Sequence, residues 1–138
     1  MAQSEAAEAE TASSEAIVRS FLAEMEARDL DAARARLAPG FEMVFPGTGP
    51  MTTLEELIAW SKPRYSGIRK TFDAVETSEA PDGAAVVWCR GTLAGVWPDG
   101  AAFSGIRFID RFEVSGGLIR RQDVWNDLAE IKAREGRA

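Results

Sequence analysis

The chain has 138 residues, the length of one domain, with a net charge of −6 and a sequence pI near 4.8. The acidic balance excludes a nucleic-acid partner, because phosphate binding needs clustered Lys and Arg. With one cysteine and no histidine, the sequence excludes an internal disulfide, most transition-metal sites and catalysis by Ser-His or Cys-His pairs.

The first thirteen residues are rich in Ala, Glu and Ser. This composition predicts a disordered or loosely helical tail over 1–13, followed by a single domain over 14–138. The tail lacks the basic and apolar segments of a signal peptide. The sequence contains no run of 18 apolar residues, so no transmembrane helix is predicted. Together with the lone cysteine, these features predict a cytoplasmic protein without membrane contact.

Three helices are predicted in the first half of the domain. The first begins at Ser14 and carries an apolar stripe from Ile17 to Met25. The second follows over 31–37, and a short strand over 41–45 comes after it. Thr53 and Glu56 form a capping box that opens the third helix, which Pro63 ends.

The second half of the chain reads as four extended segments. They cover 69–79, 84–97 and the two arms of a hairpin within 101–127, and a last helical turn is expected over 128–134. Turn sequences with glycine separate them. Helices segregated from a meander predict an α+β fold, a curved antiparallel sheet packed against three N-terminal helices. A curved sheet closed by helices leaves a pocket between the two layers.

The hairpin carries the main functional hypothesis. If Gly116 and Gly117 are its turn residues, Asp110 faces Asp123 on an apolar inner face. Opposed side chains lie about 4.5–5.5 Å apart, and a half-buried carboxylate pair is suited to acid–base catalysis. A three-residue turn would instead put Gln122 opposite Asp110 and turn Asp123 outward.

The same register suggests which residues face a ligand. Phe108 faces Trp125, and Asp127 lies near the end of the last strand. The four tryptophans of the chain favour a hydrophobic, ring-containing ligand. The predicted catalytic residues are Asp110 and Asp123, and the predicted ligand-binding residues are Trp125, Phe108, Asp127, Trp60 and Tyr65. Alternatively, Asp110 is neutralised by Arg90, Arg107 or Arg121.

The preceding hairpin sets the neighbours of Asp110. A two-residue turn at Asp99 and Gly100 places Cys89 opposite Asp110 and turns Trp88 and Arg90 outward. A bulge or a longer loop around Trp97 and Pro98 would invert this assignment. No base or cation is expected to activate Cys89, which is interpreted as a packed residue. The outer sheet face combines charged residues with central apolar ones, which predicts a homodimer.

The order of elements and turns also resembles a known family. The segments DLDAARARLAPGFEMVFPG, GTLAG, IDRFEVSGGLI and VWND are similar to the SnoaL-like branch of the nuclear transport factor 2-like superfamily, over residues 14–131. The resemblance implies a cone-shaped α+β fold that is often dimeric, in a group that includes polyketide cyclases, ketosteroid isomerase and limonene epoxide hydrolase. It also implies that Asp110 is the mid-strand general acid or base, and that Asp127 is the acidic residue that often ends the last strand.

The sequence departs from these relatives in two respects. Tyr65 is the only tyrosine available as an oxyanion donor, and the pocket histidine of many cyclases is missing. The Asp-Arg-Asp arrangement of the epoxide hydrolases would need Asp110, Asp123 and either Arg90 or Arg121.

These observations predict a cofactor-free, metal-free enzyme that performs acid–base chemistry on a hydrophobic small molecule. The reaction would be a cyclisation, an isomerisation or an epoxide opening. The alternative is a non-catalytic protein that binds an apolar ligand. A third hypothesis is an interaction module that uses the outer sheet face alone.

Overall fold

The structure is a computed structural model that describes the backbone of residues 2–137 and the side chains of residues 13–137. The helices of this part are α1 (Ala2–Ala27), α2 (Leu30–Arg34), α3 (Leu54–Ser61) and α4 (Leu128–Arg134). Its strands are β1 (Leu37–Val44), β2 (Gly67–Glu79), β3 (Ala85–Val96), β4 (Ala102–Ser115) and β5 (Leu118–Asn126). The α+β class and the helical layer on a curved sheet agree with the prediction.

The five strands form one mixed sheet in the order β1-β5-β4-β3-β2. Strands β2 to β5 make the predicted antiparallel meander, but β1 pairs with β5 in parallel, which corrects the prediction of a purely antiparallel sheet. The meander leaves one edge of β5 unpaired, and β1 covers the backbone groups of that edge.

Two helix boundaries differ from the prediction. Helix α1 begins at Ala2 instead of Ser14, so the predicted tail has a helical backbone from Ala2, while Met1 lies outside the described residues. Helix α2 ends at Arg34 and Leu37 already belongs to β1. The Pro39-Gly40 turn signal falls in an irregular part of this edge strand, where a proline is tolerated because no ladder hydrogen bond is lost.

The core lies between α1 and the inner face of the sheet. Val18, Phe21, Leu22 and Met25 of α1 are buried there, as their helical spacing predicts, and the ring of Phe21 meets Phe112 edge to face at 6.0 Å. Burying one large apolar side chain contributes about 1.5–3 kcal/mol. This stripe therefore anchors α1 across the sheet and closes one side of the cone.

The sheet curves strongly between β2 and β3. A bulge at Asp73 interrupts their pairing, and a Cβ atom built on Gly91 would lie 1.9 Å from the carbonyl oxygen of Thr71. Glycine is therefore required at this position, where the two backbones approach closely.

The hairpin of β4 and β5 has the predicted turn but a different register beyond it. Gly116 and Gly117 both have positive φ, and Val114 pairs with Ile119 as expected. Arg120 then forms a bulge, so that Asp110 pairs with Val124. The predicted pairing of Asp110 with Asp123 is therefore wrong.

Desolvation explains the bulge. Without it, Arg121 and Asp123 would both point into the core, which is costly for charged groups. With it, Gln122 and Val124 point inward instead and are buried.

The register of β3 and β4 is the predicted one. Cys89 pairs with Asp110, Gly91 with Phe108 and Leu93 with Ile106. Trp88 and Arg90 are exposed on the outer face, which confirms their predicted orientation.

Candidate active site

A buried ion pair lies on the inner face of the sheet. Asp110, in the middle of β4, is 0% exposed, and its Oδ2 accepts a hydrogen bond from Nζ of Lys70 at 2.6 Å. The Lys70 side chain, from β2, is 14% exposed. Oδ1 of Asp110 is also buried and has no hydrogen-bond partner among the described residues. The carboxylate is thus held by a single cation.

The surroundings of this pair set its electrostatics. Burial raises the pKa of Asp110, and the positive charge and hydrogen bond of Lys70 oppose this shift only in part. The Lys70 ammonium also lies 5.2 Å from the ring centre of Phe108, a favourable cation–π contact. A buried carboxyl group with a raised pKa is a common feature of sites that perform acid–base catalysis.

An interior pocket of about 180 Å³ lies between α1, α3 and the beginning of β2. Its wall is mostly apolar and contains a few polar groups, among which are Lys70, Gln122 and Tyr65. The apolar part consists mainly of Phe21, Leu22, Met25, Phe45, Leu57, Ile58 and Ile68. Asp110 is not part of the wall, so Lys70 connects the buried carboxylate to the cavity.

Four of the predicted site residues lie on the inner side of the sheet or next to the pocket. Asp110 and Phe108 are buried under Lys70, and Tyr65 lines the pocket. Trp60 is half-buried at the end of α3, where it packs against Phe45 at 5.3 Å.

The other three lie on the outer face, because the bulge at Arg120 shifts the strand by one residue. Both carboxylate oxygens of Asp123 accept hydrogen bonds from Arg121 at 2.9 Å. Asp127 precedes α4 and is bonded to Arg107 at 2.6 Å. Trp125 is 54% exposed. The expectation that these three residues contact a ligand in the interior pocket is wrong.

Two polar residues of the site, Lys70 and Gln122, were missed from the sequence. Alternation along β2 places Lys70 on the same side as Phe72, which packs on the core, so this signal was available. The arginines considered as partners of Asp110 are not bonded to it, because a lysine from the edge strand takes that position. Gln122 faces inward only because of the bulge.

Cys89 lies beside Asp110 and is fully buried. Burial and the charge of Asp110 raise the pKa of its thiol to about 12. The thiol therefore stays protonated at neutral pH, in agreement with its interpretation as a packed residue.

A second, wider groove of about 630 Å³ lies on the outer face of the sheet. Its wall includes exposed Trp125 and Ile109, together with Arg90 and the Arg107–Asp127 ion pair. Although it is larger, this groove is open and contains no buried titratable group, so the interior pocket is the better candidate for chemistry.

The described residues contain neither a cluster of metal ligands nor a membrane-spanning helix. No group of three or more Cys, Asp or Glu side chains in this part of the chain is placed to hold a metal ion. No helix among residues 2–137 is long and apolar enough to span a membrane.

Comparison with known proteins supports the fold. Residues 18–122, more than half of the chain, match the SnoaL-like domain family. A nuclear transport factor 2-like protein of unknown function from Burkholderia pseudomallei is 21% identical, with a TM-score of 0.70 over 88% of this chain and 95% of the other. No curated protein sequence matches the chain.

Two other solved structures have the same fold. AclR, a proposed hydroxylase from Streptomyces galilaeus, is 14% identical, with a TM-score of 0.70 over 93% of this chain and 87% of the other. A limonene epoxide hydrolase-like enzyme from Mycobacterium tuberculosis is 20% identical, with a TM-score of 0.67 over 90% of both chains. At these identities the comparison establishes the fold and leaves the reaction open.

Proposed function

The chain belongs to the SnoaL-like domain family, and we propose that it is an enzyme that moves a proton on a small, largely apolar molecule bound in the interior pocket. The observation that carries this proposal is the buried contact between Lys70 and Asp110, with Lys70 in the pocket wall. A buried lysine and carboxylate with one unsatisfied oxygen is costly for stability alone, which favours a functional role.

The pair can act as both acid and base. Nζ of Lys70, in the pocket wall, donates a proton to a ligand oxygen or carbon. The amine left by this transfer then takes a proton from the ligand, which restores the starting state. Asp110 orients Lys70 and exchanges the proton with it, and no cofactor takes part in these steps.

The pocket limits the ligand. A volume of about 180 Å³ is below the range of roughly 300–1,000 Å³ typical of sites for drug-sized molecules. The apolar wall suits a compound of one or two rings. Isomerisation of a ketone and opening of an epoxide both need proton transfer at such a site, and a fold neighbour is a limonene epoxide hydrolase-like enzyme.

The proposal is tested by proton exchange on a simple ketone. The probe 2-tetralone is incubated with the protein in deuterated buffer, and the loss of its α-proton signal is followed by nuclear magnetic resonance. We expect exchange above the buffer rate, and a decrease of roughly 10²–10⁴-fold in Asp110→Asn and Lys70→Met. The fold of each variant is checked by circular dichroism.

Asp123→Asn is the matched control, since it removes a carboxylate from the same hairpin on the other face of the sheet. It should keep the exchange rate of the wild-type protein. If Asp110→Asn and Lys70→Met also keep this rate, the pair is not the acid–base group.

A non-catalytic binding protein is the second candidate. Asp110 does not itself reach the pocket and is tied to a cation, an arrangement that could serve only to fix a lysine for ligand binding. Tight binding of 2-tetralone without any exchange above the buffer rate would favour this function over the enzyme.

We also propose that the outer sheet face packs against a second copy of the chain. Trp125, Ile109 and Trp88 are the large apolar residues exposed among side chains 13–137, and all three lie on this face. A homodimer would cover them. Light scattering after gel filtration should give twice the chain mass for the wild-type protein and the monomer mass for Trp125→Asp; a monomeric wild-type protein would contradict the proposal.

A further inference from the structure

Gln122 is a buried amide in the wall of the interior pocket. Only 4% of the residue is exposed, and it borders the same cavity as Lys70. The structure gives its side-chain amide no hydrogen-bond partner among the described residues, yet its polar atoms are not sealed in the protein interior. The amide is therefore free to pair with a molecule in the cavity.

The polar side chain of Gln122 lies among apolar neighbours. It lies opposite Phe112 on the adjacent strand, whose ring packs against Phe21. A leucine or methionine would fill this position without leaving an unpaired amide. Core packing therefore does not explain the residue.

Two further polar residues of the wall already have partners in the protein. The Ser61 hydroxyl donates to the carbonyl oxygen of Ile58 at 2.9 Å, and Nζ of Lys70 donates to Asp110. Gln122 is thus the buried wall residue whose hydrogen-bonding groups remain available to a ligand.

We propose that Gln122 hydrogen-bonds an oxygen atom of the ligand, and so selects hydroxylated or carbonyl-bearing ring compounds over hydrocarbons of the same size. An amide both donates and accepts hydrogen bonds, so either kind of oxygen can pair with it. This inference rests on the proposed function in placing the ligand in the interior pocket, but it does not require proton transfer by Lys70 and Asp110.

The experiment compares two probes of equal size, 2-naphthol and 2-methylnaphthalene. Their dissociation constants are measured from naphthyl fluorescence in titrations with the full chain. The wild-type protein should prefer 2-naphthol, and Gln122→Met should lower this preference about fivefold, the effect of one neutral hydrogen bond. Asp123→Asn, which changes the next residue of β5 on the outer face of the sheet and outside the pocket, should keep the wild-type preference.

The outcomes separate this inference from the proposed function. If Gln122→Met keeps the wild-type preference, or weakens both probes equally, Gln122 does not select ligands, while the proton-exchange result stands unaffected. If the wild-type protein binds neither probe, the pocket does not take this class of ligand and the inference falls. Gln122→Leu is measured in parallel, so that a folding defect of one variant does not decide the result.

Discussion

The carboxylates on the two faces of the β4–β5 hairpin differ in their burial and in the number of their partners. On the outer face, Asp123 is bonded by both oxygens to Arg121, and Arg111 lies 3.9 Å away. On the inner face, Asp110 is wholly buried and has one partner, Lys70. The outer carboxylate is stabilised by several cations near solvent, whereas the inner one keeps an unsatisfied oxygen.

The difference indicates where function lies. A half-exposed network of charges is a common way to cover a sheet face and contributes modestly to stability. An isolated buried pair costs more in desolvation than it returns in stability, so its retention needs another reason. Proximity of carboxylates in the sequence is therefore a weaker signal than the number of partners that each one has.

The largest expected effect comes from placing a second carboxylate on the inner face. Val124 faces Asp110 across the strands, so Val124→Asp recreates the buried pair of acids that the sequence suggested. We expect a loss of about 3–5 kcal/mol in the free energy of unfolding, because an unpaired charge is buried. Urea denaturation monitored by circular dichroism measures it.

Trp125→Asp is the control for this variant, since it puts the same residue on the outer face. Measured at a protein concentration at which the chain is monomeric, it should change the free energy of unfolding by less than about 1 kcal/mol. Equal losses in both variants would contradict the register of β5.

An intermediate effect is expected from removing the partner of Asp110. Lys70→Met leaves the carboxylate buried without any hydrogen bond, which should cost about 3–5 kcal/mol at pH 7. The loss should grow with pH. The folded-state pKa of Asp110 lies above its ordinary value of 3.8, so the stabilising contribution of the protonated form is complete below pH 3.8 and is lost as pH rises through the folded-state pKa.

Urea denaturation at pH 4 and pH 8 tests whether the stability loss of Lys70→Met increases with pH. Lys70→Met should lose more stability relative to the wild-type protein at pH 8 than at pH 4. Asp123→Asn, the control on the outer face, should cost less than Lys70→Met at pH 8. A larger loss at pH 4 than at pH 8 would show that burial does not dominate the titration of Asp110.

The smallest effect is expected at Asp82, in the turn between β2 and β3. The hydrogen bonds from Arg120 lower the pKa of this exposed carboxyl from 3.8 to about 2. A lowered pKa means that the contribution of the ion pair is complete above pH 3.8 and is lost as pH falls towards 2. Asp82→Asn should therefore lower stability at neutral pH and reduce its decline between pH 4 and pH 2.

Acid unfolding followed by tryptophan fluorescence provides this measurement. Asp73→Asn serves as the control, because the structure gives Asp73 no ion pair among the described residues; its acid unfolding should follow that of the wild-type protein. An unchanged decline in Asp82→Asn would show that the Arg120 contact does not contribute.

Sequence patterns predicted the helices and strands well where a pattern is compatible with a single structure. The spacing of Val18, Phe21 and Leu22 has one apolar side as a helix, and the Gly116-Gly117 pair selects a tight turn. Asp110 was predicted to point inward because its neighbours along β4 are apolar, and it is buried. The boundaries of α1 and α2 were less well defined, since alanine-rich segments and edge strands carry little periodicity.

The details of the site were predictable only in part. Ile119 and Val124 are an odd number of residues apart, so both can face inward only if a bulge lies between them. A regular strand would bury the charged side chains of Arg121 and Asp123, so the sequence itself favours the bulge, which turns Gln122 inward. The alternation of β2 likewise indicates that Lys70 faces inward, but gives no sign that it reaches Asp110.

The amino-acid sequence by itself determined the α+β class, the turns and the burial of Asp110, because these depend on local periodicity and on the side chains next to one another along the chain. Only the tertiary structure decided the partner of Asp110. Lys70 lies on a strand that is separated from β4 by β3, and its Nζ still reaches the carboxylate at 2.6 Å. Whether side chains on non-adjacent strands meet depends on the curvature and the bulges of the sheet. The energetic cost of these distortions is spread over the whole sheet.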